Sequence, residues 1–122
     1  MARILVIDDN DQFRAMLREC LQNEGYEVLE ASDGKEGASL YRMGSTDLII
    51  TDVNMPEKSG PELIFELQKE FPDVKMIAIS GGTDNSEGYL ENITVFSNVK
   101  HVFSKPFNMD EMLQAVKELL NQ

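Results

Sequence analysis

The chain has 122 residues, a length that suits one domain, and 42% of them are hydrophobic, enough for one core. Acidic residues outnumber basic ones 22 to 11, and the net charge of −11 argues against nucleic acid or an anionic membrane as a main partner. A single cysteine and a single histidine exclude an intrachain disulfide and the usual cysteine or multi-histidine zinc sites. No apolar run approaches the roughly 20 residues that span a bilayer, and no signal peptide is evident, so we expect a cytoplasmic protein.

Short aliphatic or β-branched runs alternate with segments of helical character along the whole chain. The predicted strands are residues 4–7, 28–31, 47–51, 76–79 and 101–104. A helix is predicted after each strand, over residues 13–21, 38–41, 63–71, 87–96 and 113–120. Helical spacing places Phe13, Met16 and Leu17 on the apolar face of the first helix, and Leu113, Val116 and Leu120 on that of the last. The second strand is the most polar and suits a sheet edge. The helix over 87–96 follows from the order of elements alone, because that segment is rich in weak helix formers.

Capping residues mark several of the predicted helix ends. Asn10 or Asp11 can cap the first helix, and Gly25 can end it. Pro61 suits the first turn of the third helix, and Asn108, with an acid three residues later, suits the start of the last.

Strict β–α alternation predicts a doubly wound parallel sheet with helices on both faces. Such sheets bind ligands beyond the carboxyl ends of their strands. Four of the five predicted strand ends carry reactive or charged side chains, namely Asp8 with Asp9, Asp52, Ser80 and Lys105. If the first, third, fourth and fifth strands are neighbours, these groups converge in one crevice.

Three converging carboxylates would repel one another, and a hard divalent cation such as Mg²⁺ would offset that repulsion. Asp9 and Asp52 are the best candidates for direct ligands, while Asp8 could act through water and a carbonyl just past Asp52 could fill another position. Lys105 would supply a positive charge to a phosphoryl oxygen, and Ser80 a hydroxyl donor.

These strand-end motifs together resemble the receiver domain of two-component response regulators, over the whole chain and most of all its single-domain, chemotaxis-type members. The motifs are Ile-Asp-Asp at 7–9, Thr-Asp-Val-Asn-Met-Pro at 51–56, Ile-Ser-Gly-Gly at 79–82 and Ser-Lys-Pro-Phe at 104–107. The resemblance implies a flavodoxin-like sheet of strand order 2-1-3-4-5. It also implies one receiver domain over residues 1–122, with no output domain in the chain and no turnover activity.

The resemblance assigns a role to each motif. Asp52 would accept a phosphoryl group from a histidine kinase or phosphotransfer protein, in the presence of Mg²⁺, and phosphorylation would switch the binding of a downstream protein. Asp8 and Asp9 would hold the metal with Asp52 and the backbone carbonyl of Asn54. Lys105 would pair with Asp52 and the phosphoryl group, and its bond to the next proline would be cis.

Ser80 would bond a phosphoryl oxygen and draw in its loop, according to the same resemblance. The family usually has an aromatic residue or histidine three residues before the lysine, and Val102 stands there instead. His101 and Phe103 flank this position, but neighbouring strand residues face opposite ways. Switching would therefore rest on the Ser80 loop and the following helix.

Two alternatives remain open, and a third is set aside. A degenerate receiver would act only as a protein-interaction module, without phosphorylation. A Mg²⁺-dependent phosphatase with an aspartyl-phosphate intermediate would need a general acid where Asn54 stands. A flavin-binding protein of the same fold is disfavoured, because the acids at residues 8–11 would repel the cofactor's phosphate.

Overall fold

The computed structural model describes residues 2–53, 60–80, 99, 101–105 and 107–121. Its strands are β1 (Arg3–Ile7), β2 (Glu27–Ala31), β3 (Leu48–Asp52), β4 (Met76–Ser80) and β5 (His101–Ser104). Its helices are α1 (Asp11–Asn23), α2 (Gly34–Arg42), α3 (Gly60–Glu70) and α4 (Met109–Leu120). The helix predicted over 87–96, the Asn54 carbonyl and the peptide bond before residue 106 lie outside the described residues. In the described ranges, no helix is long and apolar enough to cross a membrane.

The strands form one parallel sheet in the order β2-β1-β3-β4-β5. The predicted parallel sheet, its strand order and the edge position of β2 are therefore confirmed. The register aligns Asp52 with Ile79 on β4, and Ser80 with Ser104 on β5. Four strands consequently end close together at one edge of the sheet.

Each face of the sheet carries its own hydrophobic core, because neighbouring residues of a strand point to opposite sides. On one face, Leu5 and Ile7 pack with residues of α2 and α3. On the other face, Ile4 and Val6 pack with residues of α1 and α4. Both faces of β1 are covered, which explains its continuous apolar sequence.

Side-chain caps fix where the helices begin. The Asn10 side chain accepts a hydrogen bond from the Phe13 N–H at 2.9 Å, and the Asn108 side chain accepts one from Glu111 N–H at 3.2 Å. Gly25 follows the end of α1 with a φ of +94°, a conformation that glycine adopts without steric cost. The predicted caps of the first and last helices are confirmed, with Asn10 rather than Asp11 capping the first.

One expectation about helix faces is wrong. Met16, whose spacing placed it with the apolar face of the first helix, is 44% exposed. On α4, the predicted face is confirmed, because Val116 is fully buried and Leu113 and Leu120 are partly buried against the same core. The buried residues of this helix are Met112, Ala115, Val116 and Leu119. Apolar spacing identified the helices, but packing against the sheet set their rotation.

Helix α2 lies very close to the end of β1. A Cβ atom on Gly37 would lie 2.8 Å from Cγ1 of Ile7 and closer still to its Cδ1 atom. Ile7 is fully buried and directly precedes Asp8. The absence of a side chain at position 37 therefore sets how near α2 approaches this strand end.

Candidate functional site

The carboxyl edge of the sheet brings together the side chains that the sequence predicted there. Asp52 and Ser80 are the last residues of β3 and β4, while Asp8 and Lys105 directly follow β1 and β5. Asp8, Asp52 and Ser80 are buried, with at most 4% of each residue exposed. Burial of this many polar groups at one edge is unusual for packing alone and is typical of a functional site.

Backbone hydrogen bonds hold the site beyond the ends of the strands. The Asp8 N–H donates to the Ala31 carbonyl at 3.1 Å, and the Lys105 N–H donates to the Ser80 carbonyl at 2.9 Å. The sheet ladder thus continues through both residues. As a result, their side chains leave from a rigid backbone rather than from a free loop.

Three carboxylates converge at this edge. One oxygen from each of Asp8, Asp9 and Asp52 lies within 4.8 Å of the others. Asp9 is exposed, whereas the other two are buried. An all-oxygen donor set with one open side fits a hard divalent cation, because Mg²⁺ prefers carboxylate oxygens and keeps part of its water shell.

Lys105 lies between the two buried acids. Its Nζ atom is 3.1 Å from Oδ2 of Asp8 and 3.5 Å from Oδ2 of Asp52. The other oxygen of Asp8 accepts a hydrogen bond from the Asn10 N–H at 2.8 Å. The resemblance implied a pair between Lys105 and Asp52, and the structure adds a shorter one to Asp8.

Sequence reasoning missed the role of Arg14 beside the site. Its Nη1 atom donates to the Asp8 carbonyl at 2.7 Å, and its Nε donates to Glu30 at 3.2 Å. Burial alone would lower the pKa of Arg14, but hydrogen bonds to Asp11 and Glu30 outweigh it and raise the pKa. A permanent cation therefore ties α1 to the backbone of the acidic loop.

Aromatic side chains also reach the site. Sequence reasoning had assigned the first of them, Phe13, only to the apolar face of a helix. The ring centroid of Phe13 lies 4.0 Å from the Lys105 Nζ atom. Phe13 packs edge-on against Phe107, and Phe107 packs against Phe103. The signal in the sequence was weak, because an apolar residue in a first helical turn is usually a packing residue.

Val102 stands where the family usually has an aromatic residue, and it faces the side of the sheet that strand alternation predicts. Val102 packs with the core on the α2 and α3 face, whereas Phe103 packs with the core on the α1 and α4 face. The aromatic residue next to Val102 therefore lies on the opposite side of the sheet and does not replace it.

Comparisons with known proteins agree with this fold and site. Residues 4–117 match the response regulator receiver domain family. The chain is 30% identical to the chemotaxis protein CheY of Bacillus subtilis, with 98% of each chain covered. It is 35% identical to the sensor kinase CckA of Brucella abortus over 99% of its own length, but spans only 13% of that kinase.

Solved structures give the same result. The response regulator protein TrrA of Thermotoga maritima, in complex with Mg²⁺-BeF, is 36% identical, with a TM-score of 0.86 over 98% of this chain and 99% of that one. A receiver domain protein of Clostridium thermocellum is 28% identical, with a TM-score of 0.88 over 99% of this chain and 95% of that one. The chain belongs to the response regulator receiver domain family, the signalling domains of two-component systems.

Proposed function

We propose that the protein accepts a phosphoryl group on Asp52 from the phosphohistidine of a histidine kinase or a phosphotransfer protein. One observation carries the proposal: the buried Asp52 carboxylate ends a central strand beside two further carboxylates and a lysine ammonium. A buried nucleophilic carboxylate with a nearby cation is what the formation of an acyl phosphate requires.

In the proposed reaction, an Asp52 carboxylate oxygen attacks the phosphorus of phosphohistidine in line with the leaving nitrogen. The new O–P bond forms as the N–P bond breaks, and the electron pair leaves with the imidazole. Lys105, 3.5 Å from Asp52, offsets negative charge on the transferred group. Ser80, fully buried at the end of the next strand, would donate its hydroxyl hydrogen to a phosphoryl oxygen.

Asp8, Asp9 and Asp52 would hold Mg²⁺ together with the Asn54 carbonyl, and the cation would add charge neutralisation at the phosphoryl oxygens. The complex of the T. maritima relative with Mg²⁺-BeF supports this assignment.

The proposed phosphodonor follows from the family and from the kinase relatives that contain a similar segment. We propose that phosphorylation changes which protein surface the domain binds, so that its output is a partner rather than a product. Val102 implies that this change does not use an inward-swinging aromatic side chain on β5. The cytoplasmic location expected from the sequence stays a prediction.

The test is phosphorylation of the purified protein by labelled acetyl phosphate with Mg²⁺, followed by gel analysis under conditions that preserve acyl phosphates. We expect label on the wild type and none on Asp52→Asn. Asp73→Asn is the matched control, since Asp73 is an exposed acid between α3 and β4, at the opposite edge of the sheet.

Label on the Asp52→Asn variant would contradict the site assignment. An unlabelled wild type, with both acetyl phosphate and a phosphorylated histidine donor, would instead support the interaction-only alternative. Rapid turnover of small phosphate esters would support the phosphatase alternative.

A further inference from the structure

Among the described residues, the ammonium group of Lys105 has two charged neighbours and one aromatic neighbour. Asp8 and Asp52 lie at 3.1 and 3.5 Å from Nζ. The ring centroid of Phe13 lies 4.0 Å from the same atom. The lysine side chain is 21% exposed, so it is largely covered by its surroundings.

Two independent contacts hold Phe13 in place, one through its backbone and one through its ring. Its backbone N–H donates to the Asn10 side chain in the N-terminal cap of α1. Its ring meets Phe107 nearly at a right angle, with 5.8 Å between centroids. Phe107 is two residues beyond Lys105 and packs at 5.6 Å on Phe103 of β5. The ring and the ammonium it faces are therefore held by the same junction of α1 with β5.

We propose that Phe13 is a positioning residue for Lys105, holding the ammonium against the buried carboxylates through a cation–π contact. A lysine side chain has many rotamers, and each rotamer that points into solvent removes the charge from the site. The negative face of an aromatic ring attracts the ammonium without consuming one of its N–H donors in a directed hydrogen bond. The contact therefore adds to the hydrogen bonds of the ammonium with carboxylate or phosphoryl oxygens and does not replace them.

The kinetic part of this inference rests on the proposed phosphorylation of Asp52, whereas the contact itself does not. A first experiment therefore measures the contact alone. The protons of the Lys105 methylene next to Nζ should show an upfield NMR shift caused by the Phe13 ring current. We expect the shift in the wild type and in Phe13→Tyr, and its loss in Phe13→Leu.

A second experiment measures the initial rate of labelling by acetyl phosphate. We expect Phe13→Leu to be about fivefold slower than the wild type and Phe13→Tyr to stay within about twofold, because only the leucine variant lacks a π face. In a Lys105→Met background, Phe13→Leu should change the remaining rate by less than about twofold, since the coupled partner is absent.

Phe71→Leu is the control for loss of an aromatic pair. Phe71 is half-buried and packs edge-on against Tyr41 at 5.1 Å, on the face of the sheet away from α1. It should lower the free energy of unfolding as Phe13→Leu does, without slowing labelling.

The proposal is overturned if the wild type shows no ring-current shift, or if Phe13→Leu slows labelling equally with and without Lys105. The second result would mean that the leucine variant damages the fold rather than the position of the ammonium. If the wild type accepts no phosphoryl group at all, the proposed function fails, and the NMR shift alone decides whether Phe13 holds Lys105.

Discussion

A buried cluster and an exposed cluster each hold one cation between two carboxylates, and the two clusters differ most in exposure. Lys105 lies between Asp8 and Asp52, whose side chains are 2% and 5% exposed. On the outer surface, Arg42 of α2 lies between Glu66 and Glu70 of α3, with 36% and 42% exposed. The same combination of charges thus occurs both in a buried site and in a solvent-exposed one.

The two clusters also differ in the geometry of their contacts. Arg42 binds Glu70 through two nitrogens at 2.9 and 2.6 Å, a tight bidentate geometry. The hydrogen bonds that Arg42 donates to Glu70 are the main cause of the raised pKa of Arg42, which therefore stays charged. Arg42 also contacts Glu66 at 3.3 Å. The Lys105 ammonium makes single contacts of 3.1 and 3.5 Å with its two carboxylates. The exposed cluster thus includes a bidentate pair that joins two helices, whereas the described contacts of the buried cluster are single ones.

The largest expected difference between the clusters is in phosphorylation. Lys105→Met should lower the rate of labelling by acetyl phosphate by about 100-fold, because a charge that stabilises the transferred group is lost. Arg42→Met should leave the rate within about twofold, because solvent and salt screen a distant surface charge. Both rates are measured as initial velocities at the same concentrations of donor and Mg²⁺.

Lys105→Arg is a useful third variant, because it keeps the charge but changes the shape of the cation. Equal rates for the wild type and Lys105→Met would remove Lys105 from the proposed reaction. The two clusters would then differ in burial but not in their effect on phosphorylation.

Mg²⁺ should stabilise the folded protein by binding at the buried cluster and not at the exposed one. At a Mg²⁺ concentration about 100 times its dissociation constant, binding to the native state alone would add about 2.7 kcal/mol to the free energy of unfolding. Asp9→Asn should remove most of this gain, because Asp9 is one of the three proposed carboxylate ligands. Glu66→Gln should keep it. Urea unfolding with and without Mg²⁺, at matched ionic strength, measures both variants.

High salt should remove the effect of a mutation in the exposed cluster but not the effect of a mutation in the buried one. Arg42→Met should cost a small amount of stability at low ionic strength, and the cost should disappear in about 1 M salt, where the screening length is about 3 Å. The phosphorylation defect of Lys105→Met should persist in the same salt, because its partners are buried. A stability cost of Arg42→Met that does not change with salt would show that packing, not charge, joins α2 to α3.

The smallest expected effect concerns Tyr41, which neighbours Arg42 on α2. Burial, and secondarily the charge of Asp47, raises the pKa of Tyr41 above its ordinary value of 10.0. The folded state therefore keeps this proton at a pH where the unfolded state loses it, and Tyr41 contributes stability that declines as pH rises above 10.

Tyrosinate absorbance measures this titration directly. The component that Tyr41→Phe removes should titrate above the ordinary tyrosine pKa. A component that titrates at or below that value would show that burial on this exposed side of the molecule is too slight to influence ionisation.

The sequence predicted the site better than it predicted the contacts within it. Parallel strands end at a common edge, so Asp8, Asp52 and Lys105 could be placed together once the strand order was assumed. The exposure of Met16 could not be predicted, because apolar spacing does not define how far a helix rotates against a sheet. The contact of Phe13 with Lys105 was missed for a related reason, since side-chain rotamers follow from tertiary packing.

The glycine at position 37 limits which sequences can carry this site. Any side chain there would meet Ile7, and Ile7 is fully buried and directly joined to Asp8. A side chain at position 37 would therefore force either the isoleucine side chain or α2 to move, next to the strand end that presents the first carboxylate. In a deep mutational scan, we expect position 37 to behave like a site residue, although its role there is to supply empty space.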